Sequence, residues 1–139
     1  MSASLSLVYS VAIPLLATAE IGGGSVDLLV TGLQVVLGLL FLLTGGLKIV
    51  GVDQMVQYFE SWRYPQWFRV VTGLVEATGG LVFIGGVAVP ILTLVGGVFL
   101  VGTMFGAIYT HVLRVGDPHS ETAKPTVLLF LVGIVIVFA

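Results

Sequence analysis

Apolar residues run through this chain in long blocks, and the interruptions between the blocks define its elements. Residues 28–50 (LLVTGLQVVLGLLFLLTGGLKIV) form the first clear block. At about 1.5 Å per residue they cover roughly 34 Å, enough to cross a hydrocarbon core of about 30 Å with some tilt. From Val70 to Tyr109 the chain is apolar almost without a break, and Glu76 is its single charge. That stretch is about twice what one crossing helix needs. Gly85-Gly86 and Pro90 supply the division, because glycine loosens the helical hydrogen-bond ladder and proline interrupts it. The pattern predicts a second span near 67–86 and a third near 90–113, joined by a tight turn. The last block, 126–139, follows Pro125 and reaches only about 21 Å, short of a full crossing. A thinned bilayer, a helix that starts before Pro125 or a chain trimmed at its C-terminus each account for that.

The first 27 residues allow three readings. Leu5 to Leu16 is apolar with Pro14 inside it, and Ala17-Thr18-Ala19 has the small-x-small form of a cleavage site. No Lys or Arg precedes the apolar run, as a secretory signal would require. A surface or half-inserted helix, a fifth span over 5–22, and a signal sequence all stay open. IGGGSVD at 21–27 reads as a flexible connection outside the membrane. The chain divides accordingly into an N-terminal apolar segment with linker, 1–27, and a transmembrane bundle, 28–139.

Between the first two spans lies GVDQMVQYFESWRYPQWF. Asp53 is placed to cap a short helix, and Met55, Val56, Phe59 and Trp62 then share one face. Tyr58, Trp62, Tyr64 and Trp67 crowd together as in an aromatic belt at the headgroup level. An interfacial helix is the expectation, and a docking surface for a partner protein is the alternative.

Composition turns these spans into a fold class. The chain is 58% apolar and 9% charged, against about 45–50% and 25% in soluble domains. So few charges cannot clothe a water-soluble surface, so lipid must cover most of it. The expected fold is all-α: a polytopic membrane protein built as a four-helix transmembrane bundle with a short interfacial helix in the first inner loop. The five basic residues, Lys48, Arg63, Arg69, Arg114 and Lys124, all flank two loops on one side. The positive-inside rule makes that side cytoplasmic and the C-terminus external. The N-terminus is then outside with four spans and inside with five, and the expected location is a prokaryotic cell membrane. A net charge of −2 argues against a nucleic-acid surface. The absence of cysteine removes disulfides, thiolate metal sites and thiol redox chemistry carried by the chain itself.

Glu76 is the most informative position. It lies nine residues past Trp67, about 13 Å into the membrane if that tryptophan marks the boundary. An ionised group near the bilayer centre costs about 2.5–3.5 kcal/mol on insertion scales, so it should face the bundle and find a partner. Lys48, near the inner end of the first span, is within snorkelling range of that level. His111 sits one turn inside the inner end of the third. Lys48, Glu76 and His111 are therefore candidates to converge. They form either an ion pair that locks helices or the polar end of a pocket for a quinone or lipid headgroup, or a proton relay. Gln34, in the outer half, is expected to make a separate interhelical hydrogen bond. With two histidines, His111 and His119, at no paired spacing, a metal site is not expected. No phosphate-cradling loop or nucleophile–base arrangement is legible.

Nineteen glycines are the other signal. Gly73-x-x-x-Ala77 and Gly102-x-x-x-Gly106 place small residues one turn apart. Small faces let membrane helices approach closely. Helix packing inside the bundle is expected of all four, with a homo-oligomer contact as the alternative.

These pieces resemble the DoxX or DoxX-like family of small membrane proteins. The resemblance lies in Gly38-x-x-Phe41-Leu42-x-x-Gly45-Gly46-Leu47-Lys48, then Phe59 and Pro65. It continues in Gly73-x-x-Glu76-x-x-Gly79-Gly80 and Met104-x-x-Ala107-x-x-x-His111. It covers residues 38–111, and the N-terminal segment and short last helix depart from it. The resemblance implies a four-helix membrane bundle. Some relatives are membrane subunits of a thiosulfate:quinone oxidoreductase, others associate with oxidative-stress and sulfur-transfer proteins, and a distant vertebrate branch assists receptor assembly. It implies an accessory subunit of a quinone-linked redox or stress system, not catalytic on its own, with quinone or a partner's cofactor supplying redox chemistry. A lipid or small-molecule binding or transport protein, and a non-catalytic assembly factor, are the alternatives.

Overall fold

The computed structural model describes residues 2–116 and 119–139, without the side chains of residues 2, 3, 12, 15–25, 119 and 120. Five helices follow one another: α1 (Ser2–Val50), α2 (Asp53–Ser61), α3 (Gln66–Gly85), α4 (Ile91–Tyr109) and α5 (His119–Phe138). Four stretches among the described residues are long and apolar enough to cross a membrane: Val26–Val50, Gln66–Gly85, Ile91–Val115 and Glu121–Phe138. The protein is an integral membrane protein of the all-α class. Helix α1 packs on α3, α3 on α4, α4 on α5, and α5 returns to α1, which closes a four-helix bundle. Its core is formed by Val30, Leu37, Phe41, Phe83, Leu100, Met104, Val132 and Val135.

Each boundary has a local cause. Helix α1 ends at Gly51, which takes the left-handed conformation (φ 78°) that glycine adopts at no steric cost. The Arg69 guanidinium donates to the Lys48 carbonyl there, placing a cation at the negative end of the helix. Helix α3 stops at Gly85 and α4 begins after Pro90, at the expected break. Helix α5 starts before Pro125, which lies inside it, so the last helix gains the length that its apolar run alone lacked. At the other extreme, α1 is helical through 21–27, where the sequence suggested a flexible connection. Its described side chains between Ser4 and Pro14 are all exposed.

Helix α2 differs from expectation in one detail. Val52, not Asp53, occupies the N-cap, and no side chain caps the helix; Asp53 is the first helical residue. A carboxylate there still favours the positive end of the helix. Phe59 is buried and Met55, Val56 and Trp62 are half-buried, so the expected face turns inward. The helix ends with Tyr64 N–H donating to the Phe59 carbonyl (2.9 Å) and Arg63 N–H to that of Glu60 (3.0 Å). This is the paired closure usually built around glycine, but here Arg63 takes the left-handed position (φ 60°).

Small residues set the distances between helices. A Cβ on Gly45 would lie 2.6 Å from the Ala77 nitrogen and 2.7 Å from the Gly73 carbonyl oxygen. Gly73 and Ala77 therefore do pack a neighbouring helix, and that helix is α1. Gly38 against Gly80 repeats the contact farther from the basic loops. Helix α4 meets α3 just as closely through Gly96, beside the backbone of Phe83 and Gly79. Gly102 and Gly106 depart from the expectation. A Cβ on either would meet nothing within 4 Å, because both lie on an exposed face of α4.

Candidate functional site

A cavity of about 570 Å³ lies between α3 and α4 at the end of the bundle that carries the basic loops. Gly102, Gly106 and Met104 of α4 line one wall, and Val71, Val75 and Glu76 of α3 the other. Lys48 reaches in from α1, while Phe59, Trp62 and Tyr64 close the end beneath α2. All three residues expected to converge, Lys48, Glu76 and His111, line this one space.

Two of them touch. Lys48 Nζ donates to Glu76 Oε2 at 2.5 Å, and the Thr44 hydroxyl donates to Glu76 Oε1. The carboxylate side chain is 4% exposed and the lysine 16%. Both carboxylate oxygens are thus satisfied, the condition under which a buried charge is tolerable. An ammonium carries three donors, so Lys48 still has N–H groups for an acceptor in the cavity. Thr44 was not singled out from the sequence. It stands four residues before Lys48, one turn away on the same face, and that spacing was the available signal.

His111 takes a different position. Its ring stands edge-on to Trp62, with centroids 5.3 Å apart, at the aromatic end of the cavity. It is the second residue of a π-helical turn, Thr110–Val115, that continues α4 and ends at Gly116 in the left-handed conformation (φ 69°). Such widened turns occur often at functional sites. Here the turn faces the α2 loop. The Tyr64 and Thr110 hydroxyls lie 3.0 Å apart. Arg114 Nε donates to the Trp62 carbonyl (2.9 Å) and Nη2 to that of Arg63 (2.8 Å), while its guanidinium lies 4.2 Å from the Tyr64 ring centre. Sequence reading placed Arg114 only among the basic residues that set orientation. Nothing in one-dimensional spacing links it to a loop some fifty positions earlier.

In the half of the bundle away from the basic loops, Gln34 Nε2 donates to the Phe83 carbonyl (2.6 Å) and to Thr93 Oγ1 (2.9 Å), the expected separate interhelical bond. His119 opens α5, and its side chain lies outside the described residues.

An apolar cleft with a buried ion pair at its polar end, set in a four-helix membrane bundle, defines the class of protein. The chain belongs to the DoxX-like family, whose model matches residues 32–135. It is 36% identical over 75 residues to "Uncharacterized protein YdgD" of Bacillus subtilis (strain 168), a match covering 53% of this chain and 66% of that protein. It is 31% identical over 102 residues to "Putative oxidoreductase CatD" of the same organism, covering 73% of this chain and 72% of that one. The chain thus spans about two thirds of the length of these relatives. No solved structure matches it.

Proposed function

We infer that this chain is an accessory membrane subunit of a quinone-linked redox system, and that its cleft binds the quinone. One observation carries the reading: the Lys48–Glu76 pair stands at the end of an otherwise apolar cavity. The volume suits a single small-molecule ligand. A quinone ring would lie among Phe59, Trp62 and Val75, and a carbonyl oxygen would accept from the Lys48 ammonium. The oxidoreductase name of one relative supports the redox setting. With no cysteine, this chain would position the quinone while a partner protein delivers electrons.

Tryptophan fluorescence tests this. Of the two tryptophans, Trp62 lines the cleft and Trp67 is exposed away from it. In Trp67→Phe protein reconstituted in liposomes, ubiquinone or menaquinone is expected to quench the remaining fluorescence saturably. A linear, non-saturating response would remove the site.

The arrangement of Lys48, Arg69 and Arg114 at one end of the bundle also supports a cytoplasmic placement of that end in a prokaryotic cell membrane. Single cysteines can be introduced freely into this cysteine-free chain. Those in 52–64 or 121–124 are expected to react only with reagent on the cytoplasmic side, and those in 86–89 only from outside. Reversed labelling of the 86–89 turn would overturn the orientation.

A further inference from the structure

We propose that the cleft is filled from within the bilayer, through the gap between α3 and α4, and that Arg114 keeps its aqueous mouth shut. The proposal rests on the reading of the cleft as a ligand site and specifies the ligand as one dissolved in the lipid, with an apolar body and an acceptor head.

Exposure around the cavity is uneven. On the side between the two helices its rim is open: Gly102, Gly106, Val75 and Val98 are all exposed. That rim lies within the candidate spans Gln66–Gly85 and Ile91–Val115. The close contact of Gly96 with α3 forms the apex of the opening, and the two open glycines widen it below. Glycine at both positions leaves room for a ligand, since no helix uses them for packing within the chain.

Toward the basic loops the cavity is floored by aromatic side chains. Phe59 is buried there, with Trp62 and Tyr64 beside it. Arg114 ties this floor to α4 by two charge-assisted hydrogen bonds to the carbonyls of Trp62 and Arg63 and by its contact with the Tyr64 ring. These bonds go to backbone, so they fix the loop itself. Arg114 is a positioning residue: it touches the floor and not the cavity.

The occupant is a small molecule and not a helix of a second copy. A transmembrane helix would need an open face along its length, whereas this space narrows at Gly96, is floored by α2 and ends on a buried ion pair.

Two probes and two variants test the route, with Trp62 as reporter in the Trp67→Phe background. One probe is long-chain ubiquinone already dissolved in the liposome. The other is the tail-less dimethoxy-methyl-benzoquinone added to the water. The ratio of their quenching rates within each protein cancels any change in the emission of Trp62 itself. We expect Arg114→Gln to raise the relative rate of the aqueous probe roughly tenfold, as for loss of a charge-assisted hydrogen bond. Gly102→Leu, which fills open space, is expected to slow the lipid-dissolved probe while the protein keeps its fold. An unchanged ratio in Arg114→Gln, or an unchanged lipid-probe rate in Gly102→Leu, would overturn the proposal and leave the ligand site standing. Quenching that weakens as protein is concentrated in the liposome would mean a second copy occupies the cleft, and also overturns it. Absence of saturable quenching by either probe in every variant removes the ligand site itself.

Discussion

Lys48→Met is expected to destabilise the protein more than Glu76→Gln, and the double variant to recover part of both losses. Breaking a buried pair costs about 3–5 kcal/mol in soluble proteins, whereas polar couplings between membrane helices average about 0.6 kcal/mol. Each single loss should fall between these, roughly 1–3 kcal/mol. The asymmetry follows from position. Lys48 lies in the last turn of α1 and is 16% exposed, so without Glu76 its flexible stem can carry the ammonium toward the headgroups. Glu76 is 4% exposed in the middle of α3, and without Lys48 it keeps only the Thr44 hydroxyl. Glu76→Gln retains an oxygen to accept from Thr44. Unfolding in a detergent series for the four proteins gives the cycle, and simple addition of the two losses would mean that the pair does not couple.

Gly45→Ala should cost about 1–3 kcal/mol, the usual penalty of overpacking, while Gly102→Ala should change stability by less than about 0.5 kcal/mol. Both substitutions add one methyl group to a membrane helix. At Gly45 the methyl would press on the backbone of α3, which cannot swing aside as a side chain can. At Gly102 it would project into the cleft. Thermal unfolding in detergent checks both. Equal losses would mean that Gly102 packs against another helix, which returns that glycine face to the packing role its spacing first suggested.

The contrast between these glycines shows what the sequence could and could not reveal. Spans, breaks and the inward face of α2 were legible because lipid imposes long apolar runs, and Gly85-Gly86 and Pro90 leave only one place to turn. The Lys48–Glu76 contact was legible because a deep carboxylate needs a cation, and only Lys48 stood at a comparable depth. Gly73 and Gly102 look alike in one dimension. Their different roles depend on what each face meets, α1 for Gly73 and open space for Gly102, a property of the assembled bundle. The Arg114 clasp was hidden for a related reason. Its acceptors are backbone carbonyls, which leave no residue signature, and the π-helical turn that aims the guanidinium is not written in periodicity. His111 stands at the basic-loop end of the third span, as its position in the chain suggests, but its aromatic neighbour Trp62 comes from the loop fold and not from the spans.

If the ion pair is the polar end of a ligand site as well as a tie between helices, its removal abolishes binding in a bundle that still folds. Quinone titration of Trp62 fluorescence in Trp67→Phe protein, with and without the Lys48→Met, Glu76→Gln pair, separates the two roles. Saturable quenching is expected in the parent and its loss in the double variant, at a thermal midpoint that shows the double variant still folded. Saturable quenching of equal affinity in both proteins would contradict it, and would leave Lys48 and Glu76 as a structural clasp alone.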